Sequence, residues 1–296
     1  MTPRRAVVAI PPSYNQDQSL ELYSTANYLK HLEDNGVSCV MTTAGTSQFN
    51  FLSSSEIHQF NECVCNNFSG EKIIGIPPVS SFQAADFADH ASQFYLDSNS
   101  RLMALYPDRF YDQETLIAYV ESICDVTGSG IYLHAQKMRS GISGEWNYTA
   151  DILNRMCLNG DLVGIKEEHS SLQQSYDFVN HLNYNLDVIV AGGSMRRFQF
   201  LEPAGANAFL SGIGNLFPNI ENRFFDADDK ERKEILNKES RFFDVFMKIG
   251  WHRSLREALK IMNLTCLNDR NPWPECSMST NKELTQIIEG IKTDGR

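Results

Sequence analysis

Lys166 is the residue of this sequence whose type and surroundings most clearly suggest covalent chemistry. It ends a short apolar segment, residues 162–165, which is long enough for a buried strand and follows the turn-forming residues 159–161. Burial beside apolar neighbours disfavours the charged form of a lysine, and the neutral amine can then form a Schiff base with a carbonyl compound. The alternative is an ordinary strand end whose lysine turns to solvent. The positions of the other polar residues in the predicted fold decide between these two interpretations.

Eight apolar segments with the character of buried strands alternate with helical patterns. They cover residues 6–10, 37–41, 72–76, 102–106, 130–134, 162–165, 186–191 and 208–213. Regular strand–helix alternation of this length is typical of a (β/α)8 TIM barrel, so we predict an α/β protein of that class. A doubly wound sheet gives the same alternation but seldom contains eight regular units.

The last quarter of the chain has a different pattern. From about residue 217 onward no strand pattern returns, and the segments 230–234, 240–249, 252–262 and 280–291 have helical periodicity. We therefore predict a barrel over residues 1–222 that carries the active site, and a C-terminal helical appendage over residues 223–296 packed on the barrel.

Several polar residues fall at the carboxyl ends of the predicted strands, where barrel enzymes place their catalytic groups. Lys166 is one of them, and Thr46, Tyr106, His134 and Gly192 are others. This convergence favours the Schiff-base interpretation of Lys166 over a solvent-facing lysine.

Charge and hydropathy exclude several classes of partner. The 296 residues carry a formal net charge of -11 without a long run of Lys or Arg, which argues against binding to nucleic acid or to an anionic membrane. No apolar stretch is long enough to cross a bilayer, and the start of the chain does not resemble a secretion signal. We expect a soluble, cytoplasmic protein.

The cysteine pattern and the absence of cofactor motifs narrow the chemistry further. The seven cysteines are odd in number and scattered, which indicates reduced thiols rather than a disulfide framework. No metal-ligand spacing and no nucleotide-binding fingerprint occurs, so we expect neither a metal nor a cofactor.

Four stretches of the sequence resemble the dihydrodipicolinate synthase and N-acetylneuraminate lyase family, the pyruvate-handling class I aldolases and lyases. They are residues 164–167 (Gly-Ile-Lys-Glu), residues 44–52 leading to Glu56, Arg139-Ser140-Gly141, and residues 208–218. Residues 251–274 also resemble the C-terminal helices of this family. The similarity spans essentially the whole chain, and it is the order and spacing of the stretches that make it specific.

The resemblance implies a lyase that binds pyruvate or a related 2-oxo acid as a Schiff base on Lys166. Thr46 and the backbone amides beside it would hold the substrate carboxylate, and Arg139 would hold a second acid group. The substrate-binding positions implied in this way are Gly45, Ser47, Arg139, Gly192 and Leu210. Independently of the family, an iminium ion is an electron sink for carbon–carbon bond chemistry, and small loop residues let backbone N–H groups approach a carboxylate.

The proton relay is open between two residues on the fifth predicted strand. Tyr132 and His134 are two positions apart and therefore face the same side. Counting back from Arg139 places His134 where the family has its relay tyrosine, whereas residue type favours Tyr132. Either side chain can exchange protons, and a hydrogen-bonded core residue is the alternative for His134.

Departures from the family pattern indicate a divergent member rather than a true dihydrodipicolinate synthase. Gln48 replaces the usual glutamate of the carboxylate loop. The synthases have a second relay tyrosine after the fourth strand, and the segment Tyr106 to Tyr111 does not match that pattern clearly. A dehydratase or decarboxylase of 2-oxo sugar acids and a non-catalytic barrel that binds 2-oxo acids are therefore alternatives. The family implies a homodimer or homotetramer and, for some members, an aldehyde as second substrate.

Two further charged pairs have open roles. Arg196 and Arg197 follow the seventh strand, where they could bind an acidic group of the substrate or simply form a solvated helix start. Glu167 and Glu168 follow Lys166, and we expect them to be structural or solvated rather than catalytic.

Overall fold

The chain closes eight parallel strands into a barrel. A computed structural model describes residues 3–42, 45–105, 113–136, 149–273 and 275–293. The strands within these ranges are, in chain order, β1 (Arg5–Ala9), β2 (Ser13–Tyr14), β3 (Leu20–Glu21), β4 (Cys39–Thr42), β5 (Glu71–Ile76), β6 (Ser100–Leu105), β7 (Ile131–Gln136), β8 (Leu162–Glu168), β9 (Asp187–Val190) and β10 (Ala208–Leu210). Strands β2 and β3 form a separate sheet. The other eight follow the order β1-β10-β9-β8-β7-β6-β5-β4 around the barrel, and β4 pairs again with β1. The predicted (β/α)8 barrel is therefore confirmed.

Helices separate the barrel strands and then continue without strands to the C-terminal region. They are α1 (Tyr23–Asp34), α2 (Ser54–Asn67), α3 (Ser81–Phe94), α4 (Gln113–Thr127), α5 (Ala150–Asn159), α6 (Leu172–Asn180), α7 (Ser194–Leu201), α8 (Pro218–Asp226), α9 (Asp229–Ile249), α10 (Trp251–Ile261) and α11 (Met278–Thr293). Over the described ranges, none of these helices combines the length and apolar character needed to cross a bilayer.

Local signals in the sequence set several helix ends. Ser53 caps α2 by accepting the N–H of Glu56, and the Glu56 side chain accepts the N–H of Ser53 in return. This reciprocal pair satisfies two backbone donors that the first helical turn leaves unpaired. Gly36, just after α1, has a φ of 80°, a left-handed conformation that glycine adopts without steric cost.

Three predicted boundaries differ from the structure. Strand β8 does not end at Lys166 but continues to Glu168, because its last residues still pair with β7 and β9. The eighth barrel strand, β10, stops at Leu210 and is shorter than predicted. The apolar spacing of residues 20–32 predicts one helix, but residues 20–21 form β3 of a small antiparallel pair with β2, and α1 begins only at Tyr23. A two-residue pair has no periodicity that a sequence pattern could reveal.

The C-terminal helices share a hydrophobic core with the outer face of the barrel. Phe242 and Phe246 on α9 are fully buried, their rings stack at 3.8 Å between centroids, and they belong to the same apolar cluster as Val8 and Val190 of the barrel. Burial of one phenylalanine side chain stabilises the folded state by about 1.5–3 kcal/mol. The helices therefore pack tightly on the strands, while the boundary at residue 222 stays a prediction.

A largely buried polar cluster closes the amino-terminal end of the barrel. This basal cluster consists of Arg5, Glu71, Tyr132 and Asp187. Arg5, Glu71 and Asp187 are the first residues of β1, β5 and β9, and Arg5 forms ion pairs with both carboxylates. The Tyr132 hydroxyl donates to Oδ2 of Asp187 at 2.6 Å. The Tyr132 ring lies against Gly164, where any side chain would collide with it.

The basal cluster leads to a stability prediction for Tyr132→Phe. This substitution removes a hydrogen bond to a buried carboxylate, and we expect the free energy of unfolding to fall by about 1.5–3 kcal/mol. Urea denaturation measures the change, with Tyr184→Phe as the control because Tyr184 is 92% exposed. Equal stabilities of the two variants would show that the basal hydroxyl contributes nothing.

Candidate active site

A cavity of about 380 Å³ lies at the carboxyl ends of the barrel strands. Its lining comes from the ends of β6, β7, β8 and β10, the loops after β4 and β9, and the C-terminal helices. The residues that line it include Gly45, Thr46, His134, Lys166, Glu168, Gly192, Ser194, Arg196, Leu210, Phe243, Met247, Trp251 and His252. The volume corresponds to about a dozen water molecules at ~30 Å³ each, which leaves room for more than a pyruvate molecule.

Lys166 and His134 face each other across two neighbouring strands at the base of this cavity. They are directly paired in the register of β7 and β8, and each residue is only 4% exposed. Glu168, two residues after Lys166 on the same strand, points to the same side. Its Oε2 lies 3.5 Å from Nζ of Lys166 and 2.9 Å from Nε2 of His134. One carboxylate oxygen therefore bridges the amine and the imidazole.

The environment of Glu168 keeps its carboxylate charged. Burial by itself would raise the pKa of Glu168, but the charge of Lys166 and the hydrogen bond from His134 outweigh burial and lower the pKa to about 2. A fixed negative charge at this position attracts a cation on the nitrogen of Lys166. The pair of acidic residues after Lys166 was expected to be structural or solvated, and for Glu168 the geometry indicates a different role.

Glu167 has the structural role that its neighbour lacks. Its side chain is fully buried on the other side of β8, where it accepts hydrogen bonds from Arg197, Ser175 and the backbone of His169. Successive residues of a strand face opposite sides. This alternation is the signal in the sequence that could have separated Glu168 from Glu167, and the prediction that the strand ends at Lys166 concealed it.

The structure separates the two candidates for the proton relay. His134 lines the cavity, whereas the Tyr132 hydroxyl belongs to the basal cluster at the opposite end of the barrel. Burial, together with the negative charges of Asp187 and Glu71, raises the pKa of Tyr132. This placement corrects the assignment of Tyr132 as a catalytic candidate, because a hydroxyl bound to Asp187 is not in contact with the cavity.

Most of the predicted substrate-binding positions line the cavity, but the side chain of one of them does not. Thr46, Gly45, Gly192 and Leu210 all line the cavity. Ser47 is fully buried, and its hydroxyl donates to the backbone oxygen of Ile10 at 2.6 Å, so this side chain holds the loop rather than a ligand. Arg139, and Tyr106 with the segment that follows it, lie outside the described residues.

The C-terminal helices form one wall of the cavity, which the sequence patterns did not predict. This C-terminal wall consists of Phe243 and Met247 from α9 and Trp251 and His252 from α10. The rings of Phe243 and Trp251 are stacked, with 5.4 Å between centroids and 11° between planes. His252 lies beside Gly45 of the loop after β4. The helices therefore shape the site as well as covering the barrel.

Two buried carboxylates from the C-terminal helices hold the loop after β9. Glu239 accepts the backbone N–H groups of Met195 and Arg196, each at 3.1 Å, in the first turn of α7. Glu221 accepts the N–H of Gly212 at 2.9 Å and the hydroxyl of Ser194 at 3.4 Å. Ser194 has a φ of 48°, a conformation that costs a non-glycine residue free energy, and these contacts stabilise it.

Burial makes both carboxyl groups weak acids. The pKa of Glu239 is raised to about 8, mainly by burial and further by the neighbouring Glu221. Burial also raises the pKa of Glu221, against the hydrogen bonds from Gly212 and Gly214. Glu239 therefore favours its neutral form in the folded protein at neutral pH.

Within the described ranges, no group of three or more His, Cys, Asp or Glu side chains is arranged to hold a metal ion.

Comparison with known proteins places this architecture among one group of enzymes. The family model of the dihydrodipicolinate synthetase family matches residues 2–291. The 4-hydroxy-tetrahydrodipicolinate synthase of Karelsulcia muelleri is 22% identical over 285 residues, which are 94% of this chain and 94% of the relative. A probable 5-dehydro-4-deoxyglucarate dehydratase of Rhizobium rhizogenes is 24% identical over 290 residues, covering 91% and 90% of the two chains.

A solved structure supports the fold over the same length. The N-acetylneuraminate lyase of Fusobacterium nucleatum superposes with a TM-score of 0.85, covering 97% of this chain and 98% of that chain at 13% identity. At this identity the likeness concerns the fold alone.

The raised pKa of Glu239 predicts how stability depends on pH. Between its ordinary value of about 4.5 and about 8, the folded protein holds this proton more tightly than the unfolded chain, so stability falls as the pH rises. From about pH 5 to about pH 8 we expect the wild type to lose up to about 4 kcal/mol more unfolding free energy than Glu239→Gln. Urea titrations at the two pH values measure the difference. Equal losses of unfolding free energy in the wild type and in Glu239→Gln would mean that Glu239 is charged in the folded protein.

Proposed function

The chain belongs to the dihydrodipicolinate synthetase family, and from this premise we propose that Lys166 forms a Schiff base with pyruvate or a related 2-oxo acid. Members of this family are class I aldolases and lyases, and this protein is a lyase of that kind. The observation that carries the proposal is the group of Lys166, Glu168 and His134, joined through one carboxylate oxygen at the base of the cavity.

The group provides what imine formation requires. Nζ of Lys166 must lose a proton, attack the ketone carbon and form a carbinolamine, whose hydroxyl group then leaves as water after it gains a proton. His134 is within hydrogen-bond distance of Glu168, and its imidazole would accept this proton and return it. The same imidazole would take a proton from the methyl carbon when the iminium ion becomes an enamine.

Glu168 would act mainly by its charge. The iminium ion carries a positive charge on the nitrogen of Lys166, and the carboxylate oxygen lies 3.5 Å from that atom before reaction. A preorganised anion stabilises the cation without rearrangement of water. Because the pKa of Glu168 is about 2, the carboxylate stays ionised throughout the neutral range.

The loop after β4 would hold the carboxylate of the 2-oxo acid. Thr46 supplies a hydroxyl group, and the backbone N–H groups beside Gly45 and Ser47 supply further donors of the kind that bind oxyanions. Ser47 would contribute only its backbone, because its hydroxyl group donates to Ile10. Gly192 and Leu210 would form the opposite side of the site, and Arg139 stays a predicted ligand for a second acid group.

Two candidate reactions differ in the step that follows imine formation. Similarity to 4-hydroxy-tetrahydrodipicolinate synthases favours addition of the enamine to an aldehyde. Similarity to probable 5-dehydro-4-deoxyglucarate dehydratases favours dehydration or decarboxylation of a 2-oxo sugar acid through the same imine. A homodimer or homotetramer and a cytoplasmic location remain proposals beside these.

Borohydride trapping tests the imine directly. Wild-type protein incubated with pyruvate and cyanoborohydride should gain the mass of one reduced pyruvyl group, and peptide mapping should locate it on Lys166. Lys166→Ala should gain none, whereas Lys30→Ala, which removes an exposed lysine of α1, should react like the wild type. If neither pyruvate nor longer 2-oxo acids leave an adduct on the wild type, a non-catalytic binding barrel becomes the better description.

Proton exchange tests the role of His134. His134→Gln keeps a hydrogen-bond donor for Glu168 but has no ring nitrogen that can take up and release a proton. We expect exchange of the pyruvate methyl protons with heavy water, followed by NMR, to slow by about 10²–10⁴-fold. Tyr132→Phe should exchange close to the wild-type rate despite its lower stability, and a comparable loss in that variant would contradict the assignment to His134.

A further inference from the structure

The two consecutive arginines of α7 have different surroundings. Arg197 turns away from the cavity and donates to Glu167, to the hydroxyl of Ser175 and to the backbone oxygen of His169. Arg196 lines the cavity, and its side chain is 37% exposed. Of the two predicted candidates for binding an acidic group, only Arg196 is therefore placed to meet a ligand.

Contacts from α9 fix the position of Arg196. Its guanidinium carbon lies 4.6 Å from the centroid of Phe243, whose ring in turn stacks on Trp251. A guanidinium group over an aromatic face is attracted by the ring and loses little water in the process. Its backbone N–H donates to Glu239, which sets the start of the helix that carries it. The side chain is thus held in place before any ligand arrives.

The guanidinium group of Arg196 has N–H donors that no acceptor in the described part of the chain uses. There its guanidinium makes no hydrogen bond, its Nε is buried without an acceptor, and its nearest carboxylate oxygen is Oε2 of Glu239 at 3.6 Å. Glu239 also favours its neutral form because burial raises its pKa. Among the described residues, the cation therefore lacks a full counter-charge.

The charges of the other described lining residues are already balanced. Lys166 is paired with Glu168, so Arg196 is the remaining cation of the lining that side chains of the site do not neutralise. Its planar fork of N–H donors matches a carboxylate geometrically. The cavity also has room beyond the volume of a pyruvate bound at Lys166.

From this arrangement we propose that Arg196 forms an anion-binding subsite on the C-terminal wall that selects substrates with a second, distal carboxylate. The inference rests on the proposed function, because the first end of such a substrate is the 2-oxo acid bound at Lys166. Its ligand class is a 2-oxo dicarboxylic acid, or a 2-oxo acid joined to an aldehyde that carries a carboxylate.

Matched pairs of 2-oxo acids test the subsite. The diacids 2-oxoglutarate and 2-oxoadipate are compared with 2-oxopentanoate and 2-oxohexanoate, the monoacids of the same chain lengths. For each acid, cyanoborohydride trapping gives the concentration at which half of the protein carries an adduct. The variants are Arg196→Gln, Arg196→Lys, and Arg155→Gln, which removes an exposed arginine of α5 as the control.

We expect that substitution of Arg196 weakens the trapping of the diacids alone. In Arg196→Gln, the half-trapping concentration of at least one diacid should rise about tenfold or more, while those of the monoacids and of pyruvate change less than about twofold. Arg196→Lys should recover part of the loss, and Arg155→Gln should match the wild type.

Two results would overturn the proposal in distinguishable ways. Equal changes for diacids and monoacids, or no change for either, would remove the subsite and leave the Schiff base intact. Absence of any adduct on the wild type across the whole panel would refute the proposed function, and the subsite with it.

Discussion

The register between β7 and β8 is the constraint on which the site depends. It places His134 directly opposite Lys166, and the two-residue period of the strand places Glu168 on the same face. A shift of β8 by one residue would turn Lys166 away from the cavity and bring Glu167 into it. Closure of the barrel prevents such a shift, because β8 is also paired with β9 on its other side.

The two ends of the barrel carry polar groups with different consequences. At the amino-terminal end, Arg5, Tyr132 and Asp187 satisfy one another in a buried cluster, which contributes to stability and leaves little capacity for a ligand. At the carboxyl end, the groups beside Lys166 border a cavity. Tyr132 and His134 are only two residues apart on β7, so one strand serves both ends.

The C-terminal helices connect the stability of the fold to the shape of the site. Buried phenylalanines of α9 hold it against the barrel, and the same helix presents Glu239 and Phe243 to the loop after β9. Burial of a carboxyl group is unfavourable unless its hydrogen bonds are satisfied and its charge is reduced. Here the backbone N–H groups of α7 and the raised pKa of Glu239 meet both conditions. The loop that carries Arg196 is thereby positioned by helices outside the barrel.

The amino-acid sequence by itself determined the barrel, the succession of helices and the position of Lys166 near the carboxyl end of a strand. These features follow from short-range periodicity and from capping residues such as Ser53 and Glu56, which act within a few positions along the chain. The eight barrel strands were predicted with errors of a few residues at their ends. The small antiparallel pair was missed because two residues are too few to show a period.

Only the tertiary structure decided which of several neighbouring candidates faces the cavity. It separated His134 from Tyr132, and Glu168 from Glu167. It also brought α9 and α10 to the site as a wall. The physical reason is that each of these outcomes depends on a partner distant in sequence, such as Asp187 for Tyr132 or Phe243 for Arg196. Local patterns specify the direction of a side chain along its own element, but packing between elements specifies what that side chain meets.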